Sequence, residues 1–247
     1  MIIIKSPLLE QYTWLYHGFL TNSGGYSKGN FSSLNLSYSV GDDSNSVDKN
    51  WLVVKNNLPF KEIQLIKQIH SDIIIETNEF KGDSSLLSEE GDGLITSTIG
   101  LGIGILTADC VPVLIVDVKE RKVAAVHSGW RGAVKSITTK TIEKMNSKVK
   151  NIKVILGPSI CGKCYEVGED VISRVNQLGY NKDLIYIKNN SKYLLDMQKL
   201  VKVELLEYGI SENDIFVVNC CTKCNAMLYS YRKSGKTGRQ LSVIGVK

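Results

Sequence analysis

The chain has 247 residues, of which 43% are hydrophobic and 22% charged, with a formal net charge of +5. That length allows one large domain or two small ones, and that apolar share argues against disorder. The basic residues are scattered among Asp, Glu and Asn without a dense run interleaved with aromatics, which argues against nucleic-acid binding and suits small anions. No apolar run approaches the length of a membrane span, and Met1-Ile2-Ile3-Ile4-Lys5 lacks a signal-peptide core. The expectation is a cytoplasmic protein, without a membrane or nucleic-acid partner, whose six cysteines stay reduced.

Residues 1–20 read as one or two strands ending in His17-Gly18-Phe19. Thr21 to Gly41 is a polar, Gly- and Ser-rich stretch that reads as a long loop. Val47 to Asn57 spaces its apolar residues as a helix and is stopped by Pro59. Ile63 to Ile75 is strand-like, interrupted by Gln68-Ile69-His70-Ser71-Asp72. A polar link covers 77–91, and Asp92 to Thr96 and Leu101 to Leu106 lead into the centre of the chain.

There, Val111 to Val118 and Lys122 to Val126 are apolar, β-branched runs split by a short charged link, the pattern of a mostly buried hairpin. A helix is expected from Ala133 to Met145, a strand over Lys153 to Leu156, and a turn at Gly157 to Gly162. Helices follow over Val167 to Leu178 and Met197 to Tyr208, each closed by a glycine. Ile215 to Val218 reads as a strand, and Tyr229 to Arg232 and Gln240 to Val246 as closing strands. No repeat or linker divides the chain. The reading is a single α/β (mixed α+β) domain over 1–247, a mixed β-sheet covered by helices.

Antiparallel pairing of the central hairpin brings the start of its first strand beside the end of its second. Cys110 stands at that start and His127 at that end, with Asp109 before the cysteine. His70 closes a short strand that would reach the same edge. Two His and one Cys are three protein ligands, which in a zinc site leave the fourth position open for water or substrate. The same residues also suit a metal-free Cys–His pair with Cys110 as nucleophile. The chain has only three His, so no His-rich cluster is available.

Ser128-Gly129-Trp130-Arg131-Gly132 turns the chain into a helix, where free N–H groups and the Arg131 fork suit a phosphate. The alternative is that Gly129 and Gly132 merely permit tight packing and Arg131 pairs with a surface carboxylate. Cys161/Cys164 and Cys221/Cys224 are two Cys-x-x-Cys pairs. Their separation exceeds the usual zinc-ribbon gap and neither shows the flanking turn of a zinc knuckle, so buried or incidental thiols rank above a second metal site.

Thr107-Ala108-Asp109-Cys110-Val111-Pro112-Val113, Val126-His127-Ser128-Gly129-Trp130-Arg131-Gly132 and Gln68-Ile69-His70 resemble the laccase-domain family. It is also called the polyphenol oxidase or peptidoglycan-editing-factor family and is read as purine nucleoside phosphorylases. Asp92 to Thr96, Leu156 to Ile160, Tyr165 to Gly168, Cys221-Thr222 and Thr237-Gly238-Arg239 fall in the family's order. The resemblance implies a catalytic zinc on His70, Cys110 and His127, and phosphorolysis of adenosine, inosine, guanosine and S-methyl-5'-thioadenosine, with adenosine deamination as a second activity. It implies a purine nucleoside and phosphate as partners. Arg131, Gly129 and Arg239 are then the expected substrate-side residues, and Asp109 is the expected proton carrier in deamination. Asn22 and Trp51 stand where the family commonly has Arg. A Cys–His hydrolase acting on cell-wall precursors is the alternative that the editing-factor name suggests, and a binding module using the 21–41 loop ranks behind it. Copper oxidase chemistry ranks low, because four-copper oxidases use many more His than this chain has.

Overall fold

The computed structural model describes residues 1–82 and 86–247. In chain order, β1 (Ile3–Ile4), α1 (Pro7–Glu10) and β2 (Leu15–Leu20) precede the polar loop, and α2 (Ser44–Asn57) follows it. Next come β3 (Glu62–Lys67), β4 (Ile74–Glu76), β5 (Leu86–Glu90), β6 (Gly93–Thr96) and β7 (Leu101–Thr107). The hairpin is β8 (Val111–Asp117) and β9 (Lys122–Ser128), followed by α3 (Trp130–Ala133), α4 (Ile137–Met145) and β10 (Ile152–Leu156). The last third holds β11 (Glu166–Val167), α5 (Glu169–Asn176), β12 (Tyr186–Asn189) and β13 (Lys192–Leu195). It ends with α6 (Met197–Glu207), β14 (Ile215–Val217), α7 (Tyr231–Ser234) and β15 (Gln240–Val246).

The long strands form two six-stranded sheets, ordered β1-β2-β15-β7-β3-β5 and β14-β10-β8-β9-β6-β4, and β11-β13-β12 make a small third one. Side chains alternate faces along a strand, and the hairpin divides its apolar residues accordingly. Leu114, Val116, Val123 and Ala125 meet Phe19, Ile103, Ile105 and Ile244 of the first sheet. Val113, Ile115, Ala124 and Val126 face the other way, against Ile137 and Ile142 of α4 and Leu200 and Val201 of α6. The outer face of the first sheet carries Ile63, Leu65, Leu241 and Val243, covered by Val47, Trp51 and Val54 of α2. The result is a four-layer arrangement of helix, sheet, sheet and helices. The expected mixed sheet covered by helices is thus two sheets face to face, and the hairpin lies in the inner layers, where apolar residues on both faces are required.

Some elements differ from the sequence reading. Tyr229 to Arg232 is not a strand. Ser230 accepts a hydrogen bond from the Lys233 N–H and caps α7. The helix expected from Ala133 is broken, because Ser136 takes a left-handed φ of 58°. α4 starts after it, and its Thr139 N–H and hydroxyl are received by the buried Glu204 of α6 at 3.0 and 2.8 Å. The run 63–75 leaves its sheet after Lys67, and β4 joins the other sheet. Both Cys-x-x-Cys pairs do sit in tight turns, with Cys164 N–H bonded to the Cys161 carbonyl and Asn225 N–H to that of Cys221. The polar 21–41 loop is pinned by Asn50, whose amide reaches Ser27 and the Asn35 carbonyl. Trp51 beside it is a core residue that donates to the Leu36 carbonyl. No helix among the described residues is long and apolar enough to cross a membrane.

Candidate active site

The β8–β9 register pairs Val111 with Ser128 and Pro112 with His127. Cys110, one residue before β8, therefore arrives beside His127, as antiparallel pairing demands. His70 comes from a different sheet. β3 runs parallel to β7, and just past its end the Gln68 amide takes the place of a backbone pair. It donates to the Leu106 carbonyl at 2.9 Å and accepts from the Leu106 N–H at 2.8 Å. The chain then peels away, and His70, at a φ of 59°, turns its ring to the hairpin end.

Asp92, a residue with no role assigned from sequence, locks this arrangement. Its carboxylate is fully buried. It accepts from the N–H groups of Ile69, His70 and Ser71, from the Ser71 hydroxyl, and from His127 Nδ1 at 2.7 Å. Burial alone would raise its pKa, but the bonds from His127 and Ser71 outweigh this and bring it to about 2. One carboxylate thus fixes the turn bearing His70 and the ring of His127. The bond at Nδ1 leaves the other ring nitrogen of His127 facing the cysteine.

The ligand atoms of His70, Cys110 and His127 all lie within 4.8 Å of one another, and the two imidazole rings meet edge to face at 4.8 Å between centroids. His127 is 3% exposed while His70 stands open to solvent. Burial pushes the Cys110 thiol up, but His127, and then His70, outweigh it and bring it to about 6. Burial disfavours the His127 imidazolium, but Cys110 and Asp92 raise it to about 9. A borderline N₂S donor set, one histidine oriented by a carboxylate, and a solvent-facing side fit a metal ion with an open position.

Gly129 is packed against the trio. A methyl group there would lie 3.1 Å from His70 Cδ2 and 3.2 Å from Cys110 Sγ. α3 is a single four-residue turn, so the expected helix N-terminus offers little for an anion. Gly132 likewise sits where a methyl would meet the Ser71 carbonyl at 3.0 Å, which favours the tight-packing alternative for both glycines. Asp109, at a φ of 103°, accepts from the Thr222 hydroxyl at 2.5 Å and the Arg232 N–H at 2.6 Å. Both of its oxygens are engaged, which makes it an anchor that holds the approach to Cys110 in an unusual backbone conformation and argues against the expected proton carrier.

Cations gather beside it. Arg131 is exposed and stacks on Trp130, with its guanidinium carbon 4.4 Å from the ring centroid. Arg239 bonds the carbonyls of Thr237 and Gly238. Burial lowers its pKa while the charges of Cys110 and Asp109 resist that change, which places it at this edge. Two residues escaped the sequence reading. Tyr165 has its hydroxyl pushed up to about 12 by burial and then by Cys110, against the pull of Arg232 and Arg131. Arg232 stacks on Tyr165 and bonds the Glu166 carbonyl. The available signal is the Tyr165-Glu166-Val167-Gly168 segment, matched only to the family's order, and the Arg after Tyr231, read as part of a closing strand. A cleft of about 420 Å³ lined by Asp117, Lys119, Glu120 and Lys148 lies at the opposite end of the hairpin, remote from this edge.

A family model described as multi-copper polyphenol oxidoreductase laccase matches residues 16–247. A purine nucleoside phosphorylase of Clostridium acetobutylicum is 36% identical over 219 residues, covering 86% of this chain and 86% of that protein. The purine nucleoside phosphorylase YlmD of Bacillus subtilis is 31% identical over 244 residues, covering 93% of this chain and 88% of its own length. The crystal structure of a Bacillus licheniformis hypothetical protein, YfiH, superposes with a TM-score of 0.90 at 30% identity, over 96% of this chain and 95% of that one.

Proposed function

The chain belongs to the multi-copper polyphenol oxidoreductase laccase family, and we propose that it is a zinc-dependent purine nucleoside phosphorylase with adenosine deaminase activity. Its substrates would be adenosine, inosine, guanosine and S-methyl-5'-thioadenosine, with phosphate, and its products the free base and the sugar 1-phosphate. The observation that carries this is the joint presence of the His70–Cys110–His127 trio and a set of arginines at one open edge. The relatives named purine nucleoside phosphorylase support it. The chain's three His are too few for a four-copper centre, so the oxidase in the family's description is not the activity we assign.

In phosphorolysis a phosphate oxygen bonds to C1′, the glycosidic bond breaks, and its electron pair leaves with the purine, which takes up a proton. Arg131, Arg232 and Arg239 would hold the phosphate dianion by charge-assisted bonds. Arg232 and Arg239 are pre-set by their own hydrogen bonds to the Glu166, Thr237 and Gly238 carbonyls. Tyr165, protonated at neutral pH because its hydroxyl titrates at about 12, would donate to an anionic oxygen or a purine nitrogen. His70, Cys110 and His127 would hold the metal, which when bound supplies a Lewis acid and lowers the pKa of a coordinated water. Asp92 keeps the His127 ring in the required tautomer.

Zinc-loaded protein given inosine and phosphate should release hypoxanthine and ribose 1-phosphate in equal amounts. If neither forms, the phosphorylase assignment is wrong. The close approach of Cys110 to two histidines also supports the second reading, a thiol hydrolase. Chelation separates the two, since it should abolish the zinc-dependent reaction and spare a thiol mechanism.

A further inference from the structure

The remaining cysteine pairs meet in space. β10 and β14 are parallel neighbours, with Leu156 paired to Val217, so the segments that follow them leave from the same sheet edge. They stay joined beyond it. Ser159 bridges to Cys221, the Thr222 N–H bonds the Ser159 carbonyl at 3.0 Å, and the Cys161 N–H points at Cys221 Sγ at 3.3 Å. Cys161-Gly162-Lys163-Cys164 and Cys221-Thr222-Lys223-Cys224 are alike in sequence, and each folds as a tight turn. The long intervening stretch made the pairing illegible from spacing. It is occupied by the β11–β13 sheet and two helices, which bring the chain back to its starting point.

The four sulfurs all lie within 4.8 Å of one another, and Cys164 and Cys224 are 3.4 Å apart. Tetrahedral coordination with metal–sulfur bonds of about 2.3 Å requires sulfurs roughly 3.8 Å apart. A disulfide requires about 2.05 Å. Thiols are weak hydrogen-bond donors and acceptors, so four of them turned toward one point gain little from each other. The N–H directed at Cys221 is the kind of contact that stabilises a thiolate. Lys163 and Lys223 are the third residues of the two Cys-x-x-Cys turns.

We infer that Cys161, Cys164, Cys221 and Cys224 form a closed tetrathiolate site for a structural zinc ion, separate from the trio. Four protein donors leave no open position, which marks a structural centre. Its place in the fold gives it a task. Ile160, just before Cys161, donates its N–H to the Asp109 carbonyl at 2.9 Å, and Thr222, just after Cys221, donates its hydroxyl to the Asp109 carboxylate. The ion would therefore clamp the two segments that grip the residue next to Cys110. This inference does not depend on the phosphorylase assignment, because it concerns cysteines that the reaction does not use.

The test is metal analysis of the full-length protein and two variants. Cys110→Ser should disable the trio yet retain about one zinc per chain. Cys164→Ser combined with Cys224→Ser should lose about one equivalent relative to the parent. Cobalt(II) loaded into Cys110→Ser should give the intense visible bands and near-ultraviolet thiolate charge transfer of a tetrahedral sulfur site. The parent protein gives a measurement that survives misfolding of the double variant. Alkylation after chelation and non-reducing denaturation should modify all six cysteines. Recovery of disulfides among the four, iron in place of zinc, or a Cys110→Ser protein without bound metal would each overturn the inference.

Discussion

Asp92 shows how much a single side chain can determine at this edge. Its two oxygens serve donors from both the His70 turn and the His127 ring. Asp92→Asn would turn an amide toward groups that are themselves donors. Loss of a carboxylate behind a metal-bound histidine typically weakens metal affinity by about 10- to 100-fold. Competition with a chromophoric chelator should show a drop of that order, and an unchanged affinity would reduce Asp92 to a scaffold residue. Arg131 makes no hydrogen bond among the described residues beyond its stacking on Trp130, so its donors are free. If it holds phosphate, Arg131→Ala removes a charge-assisted contact worth roughly 1.5–3 kcal/mol. The KM for phosphate should then rise by about one to two orders of magnitude, with zinc content and deamination spared. An equal loss of both activities at unchanged zinc would remove Arg131 from the phosphate site. Cys110 and His127 were legible in the sequence because a hairpin forces its two ends together. His70 was legible as the end of a short strand expected at the same edge, and the family resemblance implied the same residue. Asp92, Tyr165 and Arg232 were not legible, because their roles come from meeting segments distant in the chain, which no local spacing records.

Among the elements, α4 and α6 are joined by an uncommon contact. Glu204 is 2% exposed, and one of its oxygens receives the Thr139 N–H and hydroxyl at the start of α4. The other has no hydrogen-bond partner among the described residues. Burial outweighs the two Thr139 bonds and raises the carboxyl to about 7. The folded state therefore holds this proton more tightly than the unfolded chain. The associated stability is fully present below the unfolded value near 4.5 and is lost as pH rises through 7. Glu204→Gln should remove that dependence. At pH 8 it should unfold at a higher temperature than the parent, by an effect of up to ~3 kcal/mol, with little difference at pH 4.5. A variant that is destabilised equally at both pH values would contradict the assignment. The central hairpin, α2 and α6 were readable from periodicity because their burial patterns are simple. The α7 turn was misread because Tyr229-Ser230-Tyr231 alternates like a strand, whereas the Ser230 cap decides it. β12 and β13 were missed because their residues are mostly polar or only half-buried, leaving no apolar alternation to read.

At the scale of the molecule, composition and pattern announced one mixed α/β body but not that its strands form two sheets. An apolar strand buried on both faces looks the same under a helix as under another sheet, and only the contact of Leu114 and Val116 with Ile103 and Ile105 resolves it. Leu114 is fully buried between the sheets. Leu114→Ala should lower stability by about 2–5 kcal/mol in urea unfolding while leaving zinc stoichiometry intact, and a smaller loss would mean that the sheets close over the gap. β15 has a different significance. It lies between β2 and β7, pairing Ile244 with His17 on one side and with Ile103 on the other. During synthesis, β2 and β7 must wait for a partner that is made long after them, each holding a row of unsatisfied backbone groups on the side reserved for it. Ribosome-held chains ending at Gly238 should thus remain protease-sensitive and aggregation-prone, and a protected core at that length would refute this. Arg239 precedes β15 directly, so a chain stopped at Gly238 also lacks one of the three arginines of the proposed phosphate site.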